Sequence, residues 1–86
     1  MMTEKEIIAD IRRVTCGNNS VWAVGVTDSP ARQKLELEKA GKSNKHWHDW
    51  DASTEAEARR IEAFYLEKGC ESDRGDGGGG RHVYIL

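Results

Sequence analysis

Apolar residues recur along this chain with two periods, and the change from one to the other marks its elements. Ile7, Ile8, Ile11 and Val14 return every three or four positions and define one stripe of a helix. Thr3-Glu4-Lys5-Glu6 stands just ahead of them with the spacing of a capping box. Gly17 after Cys16 supplies the stop, and Gly17-Asn18-Asn19-Ser20 is turn chemistry. From Val21 to Thr27 the period changes to two. Trp22, Val24 and Val26 share one face, and Val21, Ala23 and Gly25 share the other. With both faces apolar, this segment is predicted to be a central strand covered on both sides. The small Ala23 and Gly25 predict close packing on theirs.

Asp28-Ser29-Pro30 ends the strand and opens a second helix, with Ser29 as N-cap and Pro30 in the first turn, where a missing amide costs nothing. This helix runs to about Lys39 and closes at Gly41. Its apolar content is thin (Ala31, Leu35 and the flank of Leu37), which predicts a surface position. Lys45 to Asp51, KHWHDWD, reads as a short strand anchored by Trp47 and Trp50. Those two lie three positions apart, which strand alternation does not allow on one face, so a bulge or a turn at one end is predicted. Ser53-Thr54 starts a third helix, with Ala58, Ile61, Phe64, Tyr65 and Leu66 on its buried side, Glu62 at the border of that side, and Gly69 as the stop. Glu71 to Gly80, ESDRGDGGGG, is predicted to hold no regular structure and to form a flexible glycine-rich loop over residues 71–81. His82 to Leu86 is a final strand.

The order α-β-α-β-α-β implies an α/β (α+β) fold, a compact three-stranded sheet flanked by three helices. With 86 residues the chain is one domain with one core, 1–86. No apolar run approaches the roughly 20 residues of a membrane span, and the charged N-terminal stretch lacks a signal region, so the expectation is a cytoplasmic protein. Cys16 and Cys70 form no CxxC pair, which argues against a thiolate zinc site. The net charge of −2 gives no broad basic face for nucleic acid. Basic residues instead concentrate at Arg32, Lys34, Lys39, Lys42 and Lys45, interleaved with Glu36 and Glu38, as either a solvated helix face or a phosphate-binding patch.

Two further segments bear on chemistry. The glycine run follows a helix and leads into a strand, and it lacks the lysine and hydroxyl of a phosphate-binding loop; it reads as a connection. His46 and His48 share a strand face and, with Asp49 or Asp51, could form half of a metal site completed by His82 or Glu62; the plainer alternative is an exposed polar strand face.

The stretch Ala23-Val24-Gly25-Val26-Thr27-Asp28-Ser29-Pro30-Ala31-Arg32 resembles the second strand and following helix of GIY-YIG nuclease domains, with Ala23-Val24-Gly25 at the YIG-type triplet. Glu57 to Cys70, EARRIEAFYLEKGC, resembles the helix carrying that family's metal-binding glutamate and places Glu62 at its position. The resemblance implies a Mg2+ or Mn2+ ion on Glu62, charge stabilisation by Arg32, and a tyrosine assisting the attack of water on a phosphodiester. Thr27, Lys34 and Trp47 would contact the ligand. Three departures stand beside it. Ala23 replaces the triplet tyrosine, Arg32 comes one residue earlier than the family's arginine, and a helix precedes Val21 in place of the GIY strand. Tyr84 would fill the tyrosine role if His82 to Leu86 paired where that first strand would lie. The resemblance therefore implies a degenerate GIY-YIG-like scaffold that binds a partner such as DNA or RNA. The alternatives are an active metal-dependent endonuclease, or an unrelated protein-interaction module.

Overall fold

A computed structural model describes residues 2–41, 46–72 and 80–86. Helix α1 spans Glu4–Thr15, and its first turn closes as the sequence predicts. The Glu6 amide donates to Thr3 Oγ1 at 3.2 Å, and the Thr3 amide donates to Glu6 Oε1 at 3.0 Å. These bonds favour the ionised carboxylate and hold Glu6 below its ordinary pKa. A group depressed in this way stabilises the fold above its unfolded-state pKa and loses that contribution as pH falls through the folded-state value. Glu6→Gln keeps the acceptor and removes the charge. It is therefore expected to lower the urea midpoint at neutral pH, with the gap to wild type closing in the acid range. A gap that does not change with pH would contradict this account.

The remaining elements are a short 3-10 turn at Asn19–Val21, β1 (Ala23–Thr27), α2 (Pro30–Lys39), β2 (His48–Asp51), α3 (Glu55–Glu67), β3 (Glu71–Ser72) and β4 (His82–Ile85). Val21 is drawn into the 3-10 turn and is exposed, so β1 begins two residues later than the apolar pattern suggests. The strands form one sheet in the order β2-β4-β1-β3. β4 runs antiparallel to both β1 and β2, while β3 runs parallel to β1. The sheet thus has four strands, not the expected three. The added one is Glu71–Ser72, at the start of the segment read as unstructured. Leaving α3, the chain passes along the open edge of β1, where the Glu71 amide donates to the Trp22 carbonyl at 3.0 Å. Two residues are too few to carry an alternation. Residues 73–79 of the expected loop lie outside the described residues.

Register sorts the side chains by face. Val24 pairs with Ile85, Val26 with Val83, and Trp50 with Val83. These residues form the main core with Ile7 and Ile11 of α1 and Ala58, Ile61 and Tyr65 of α3. The intervening residues, Gly25, Thr27, Tyr84 and His82, face the other way, where Trp47 stacks on Tyr84 and Lys34 of α2 lies over Trp47. On α2 the buried residues are Gln33 and Leu37, whereas Leu35 stands exposed, contrary to the expected stripe. α3 likewise buries a narrower stripe than expected, leaving Phe64 and Leu66 exposed. Trp47 precedes β2 and stacks on Tyr84, while Trp50 enters the main core under α1 and donates to Asp10 Oδ2 at 3.3 Å. The two indoles occupy opposite faces of the sheet. Their odd spacing then follows from the pleat alone and needs no bulge.

Candidate functional site

The site residues expected from the sequence divide between two faces of the sheet. Tyr84 lies on the central strand β4, in register with Gly25 on one side and Asp49 on the other, and has no solvent exposure. Gly25 places no side chain beside it. Trp47 lies over the phenol ring, with centroids 4.5 Å apart and planes 9° from parallel. Lys34 Nζ sits 5.5 Å from the centre of the Trp47 ring, so α2, Trp47 and Tyr84 form one continuous stack. The Trp47 indole donates to Asp49, which fixes its orientation. Thr27 is buried at the end of β1. Its Oγ1 accepts from the Ser29 amide at 3.1 Å and shapes the turn into α2; Ser29 itself makes no side-chain cap.

Arg32 projects from the first turns of α2 and pairs with Asp28 at 2.8 Å across an exposed surface. Glu62 lies on α3, the helix packed against the opposite face of the sheet. The structure therefore brings together Lys34, Trp47 and Tyr84, leaves Thr27 at the turn from β1 into α2, and places Glu62 on the helix across the sheet. β4 does pair beside β1, as the placement of Tyr84 requires, but the tyrosine points into packed side chains.

The two histidines of the KHWHDWD segment flank Trp22, with centroid separations of 6.5 Å for His46 and 6.2 Å for His48. His82 belongs to the other face and to the far end of β2, in register with Asp51, whereas His48 is in register with Ile85. Among the described residues, no group of three potential metal-ligating side chains comes together.

A concave feature lies between the C-terminal ends of α1 and α3. It is a cleft of about 300 Å³ whose lining includes Ile8, Arg12, Asn19, Phe64, Tyr65 and Lys68. The Tyr65 hydroxyl donates to the Ile8 carbonyl at 2.8 Å and ties the two helices together at the base. Burial pushes the Tyr65 phenol up, with nearby Cys70 adding to the effect and the Arg12 charge opposing it, so the phenol stays protonated. Arg12 and Lys68 played no part in the sequence-derived site. Each is an ordinary helix-end cation in the pattern, and only the packing of α1 on α3 sets them around one cleft.

Comparison with known proteins finds no match among protein-family models, curated proteins or solved structures. No helix among the described residues is long and apolar enough to cross a membrane.

Proposed function

We propose that this chain is a non-catalytic binding module on a GIY-YIG-like scaffold, and that its α2 face contacts nucleic-acid phosphates. The observation that carries the first half is the burial of Tyr84 beneath Trp47, on the face of the sheet opposite Glu62. A general base must come within hydrogen-bond reach of the proton it takes. A phenol sealed under an indole, with the metal-binding candidate across the sheet, offers no common place for a scissile phosphate. The second half draws on the cations of α2. Lys34 is held over Trp47, and Arg32 and Lys39 are exposed on the same helix.

The test has two stages. Supercoiled plasmid with Mg2+ or Mn2+ is expected to stay intact with the wild-type chain. Metal-dependent cleavage abolished by Glu62→Ala would restore the nuclease reading. The emission of the three tryptophans is then titrated with single-stranded DNA at two salt concentrations. Binding is expected to weaken as salt rises, and Lys39→Gln to reduce the slope of log K against log salt by about one. Absence of any binding at low salt would favour the protein-interaction alternative.

A further inference from the structure

We infer that the cleft between α1 and α3 is a binding site for a small organic carboxylate with an apolar body. The site is separate from the α2 face, being on the other side of the sheet, so either proposal can fail while the other stands. Four features support it. The cleft presents two cations, one from each helix, and no carboxylate lines it among the described residues. The Arg12 guanidinium has no acidic partner among the described residues, although the chain as a whole carries a net charge of −2. Lys68 is held over the Phe64 ring, with Nζ 5.3 Å from its centre, and so stays beside the cleft mouth. Phe64 is 38% exposed, although the periodicity of α3 marks it for burial, and with Ile8 it offers an apolar wall.

The carbonyl ends of both helices also lie here, and their partial negative charge opposes an anion. Several of those carbonyls are covered, among them that of Thr15, which accepts from the Asn18 amide at 2.9 Å, and that of Tyr65, which accepts from the Cys70 amide at 3.0 Å. The Cys16 amide donates to the Arg12 carbonyl at 2.9 Å, and Asn19 Nδ2 approaches the Lys68 carbonyl at 3.4 Å. Ile8 and Phe64 select an anion with an apolar body over inorganic phosphate, which has none to bury. The planar fork of Arg12 matches the two oxygens of a carboxylate. A cleft of about 300 Å³ is at the small end of ligand sites, suited to one ring and its charged group.

Benzoate is the probe. Benzamide, the same shape without the charge, and inorganic phosphate are the comparisons, each titrated into the full chain and followed by backbone amide shifts. Benzoate is expected to saturate with a Kd on the order of 1 mM, typical of a ligand with so few atoms. Shifts should be centred on Gly17, Asn19 and Lys68. Benzamide and phosphate should each bind at least about tenfold more weakly, a difference of about 1.4 kcal/mol. Arg12→Gln and Lys68→Gln should each weaken benzoate severalfold in chains whose spectra remain dispersed, and Arg12→Lys should fall between wild type and Arg12→Gln. Equal binding of benzamide would overturn the proposal, since it would mean a merely apolar crevice. So would tighter binding of phosphate, unchanged affinity in folded Arg12→Gln, or benzoate shifts that do not saturate.

Discussion

Gly80→Ala is expected to destabilise the fold by about 3 kcal/mol or more, combining overpacking of roughly 1–3 kcal/mol with backbone strain of similar size. Gly80 leads into β4 with φ +125°, a conformation that L side chains rarely adopt. A Cβ there would lie 2.3 Å from the Asp28 nitrogen, 2.3 Å from the Thr27 carbonyl carbon and 2.4 Å from the Thr27 oxygen. All three are backbone atoms at the junction of β1 and α2, so no side chain can rotate away. Relief would require β4 to separate from β1, and β4 holds β2 to the rest of the sheet. A domain of this size has about 5–10 kcal/mol of stability in total. Each kcal/mol lost corresponds to roughly 4–8 °C in Tm, so a fall of at least about 12 °C is expected in a thermal melt. Gly41→Ala is the control. It too has positive φ, at +77°, but no atom of the described residues lies within 4 Å of the added Cβ. Its cost should stay near 1 kcal/mol, the ordinary penalty of a left-handed residue. Equal losses in the two variants would show that close packing at Gly80 contributes nothing.

Tyr84→Ala should cost about 3–5 kcal/mol, the range for removing a buried ring from a packed interior. Tyr84→Phe keeps the ring on Trp47 and should cost only about 0.5–1.5 kcal/mol, the net value of a hydroxyl hydrogen bond. Loss of the stack in Tyr84→Ala should also shift the summed tryptophan emission of Trp22, Trp47 and Trp50 to the red, whereas Tyr84→Phe should leave it in place. The pair distinguishes a packing tyrosine from a reactive one. A packing tyrosine tolerates phenylalanine, and a catalytic one would lose its chemistry while keeping its stability. A Tyr84→Ala chain as stable as wild type would remove the physical basis for treating this residue as part of the fold.

Much of the architecture is legible along the chain, and the limits fall at particular residues. The Thr3–Glu6 capping box and the Ile7–Ile11 stripe are local, so three or four neighbouring residues suffice to specify them. Two apolar faces on β1 imply a strand at the centre of the sheet, and β4 and β3 flank it. Glu71–Ser72 escapes notice because its partner is Ala23–Val24, nearly fifty positions earlier, and a two-residue strand has no period to detect. Gln33 goes unnoticed in the sequence because nothing marks a polar residue for burial; its burial follows from where α2 lies. Phe64 shows the converse error. It fits the helical period of α3 but falls beyond the strip that α1 and the sheet can cover.

The same division holds for the candidate site. The KHWHDWD segment identifies two indoles as anchors, but only the pleat of β2 decides that Trp47 stacks on Tyr84 while Trp50 joins the main core. Sequence alone determined the helices, the side-chain caps at Thr3 and Thr54, and the central strand, because each depends on contacts between near neighbours or on a repeating period. Tertiary structure alone decided that Glu62 and Tyr84 face opposite ways, and that Arg12 and Lys68 share a cleft. Which face of a sheet a helix covers depends on the packing of the whole chain, and no local pattern encodes it.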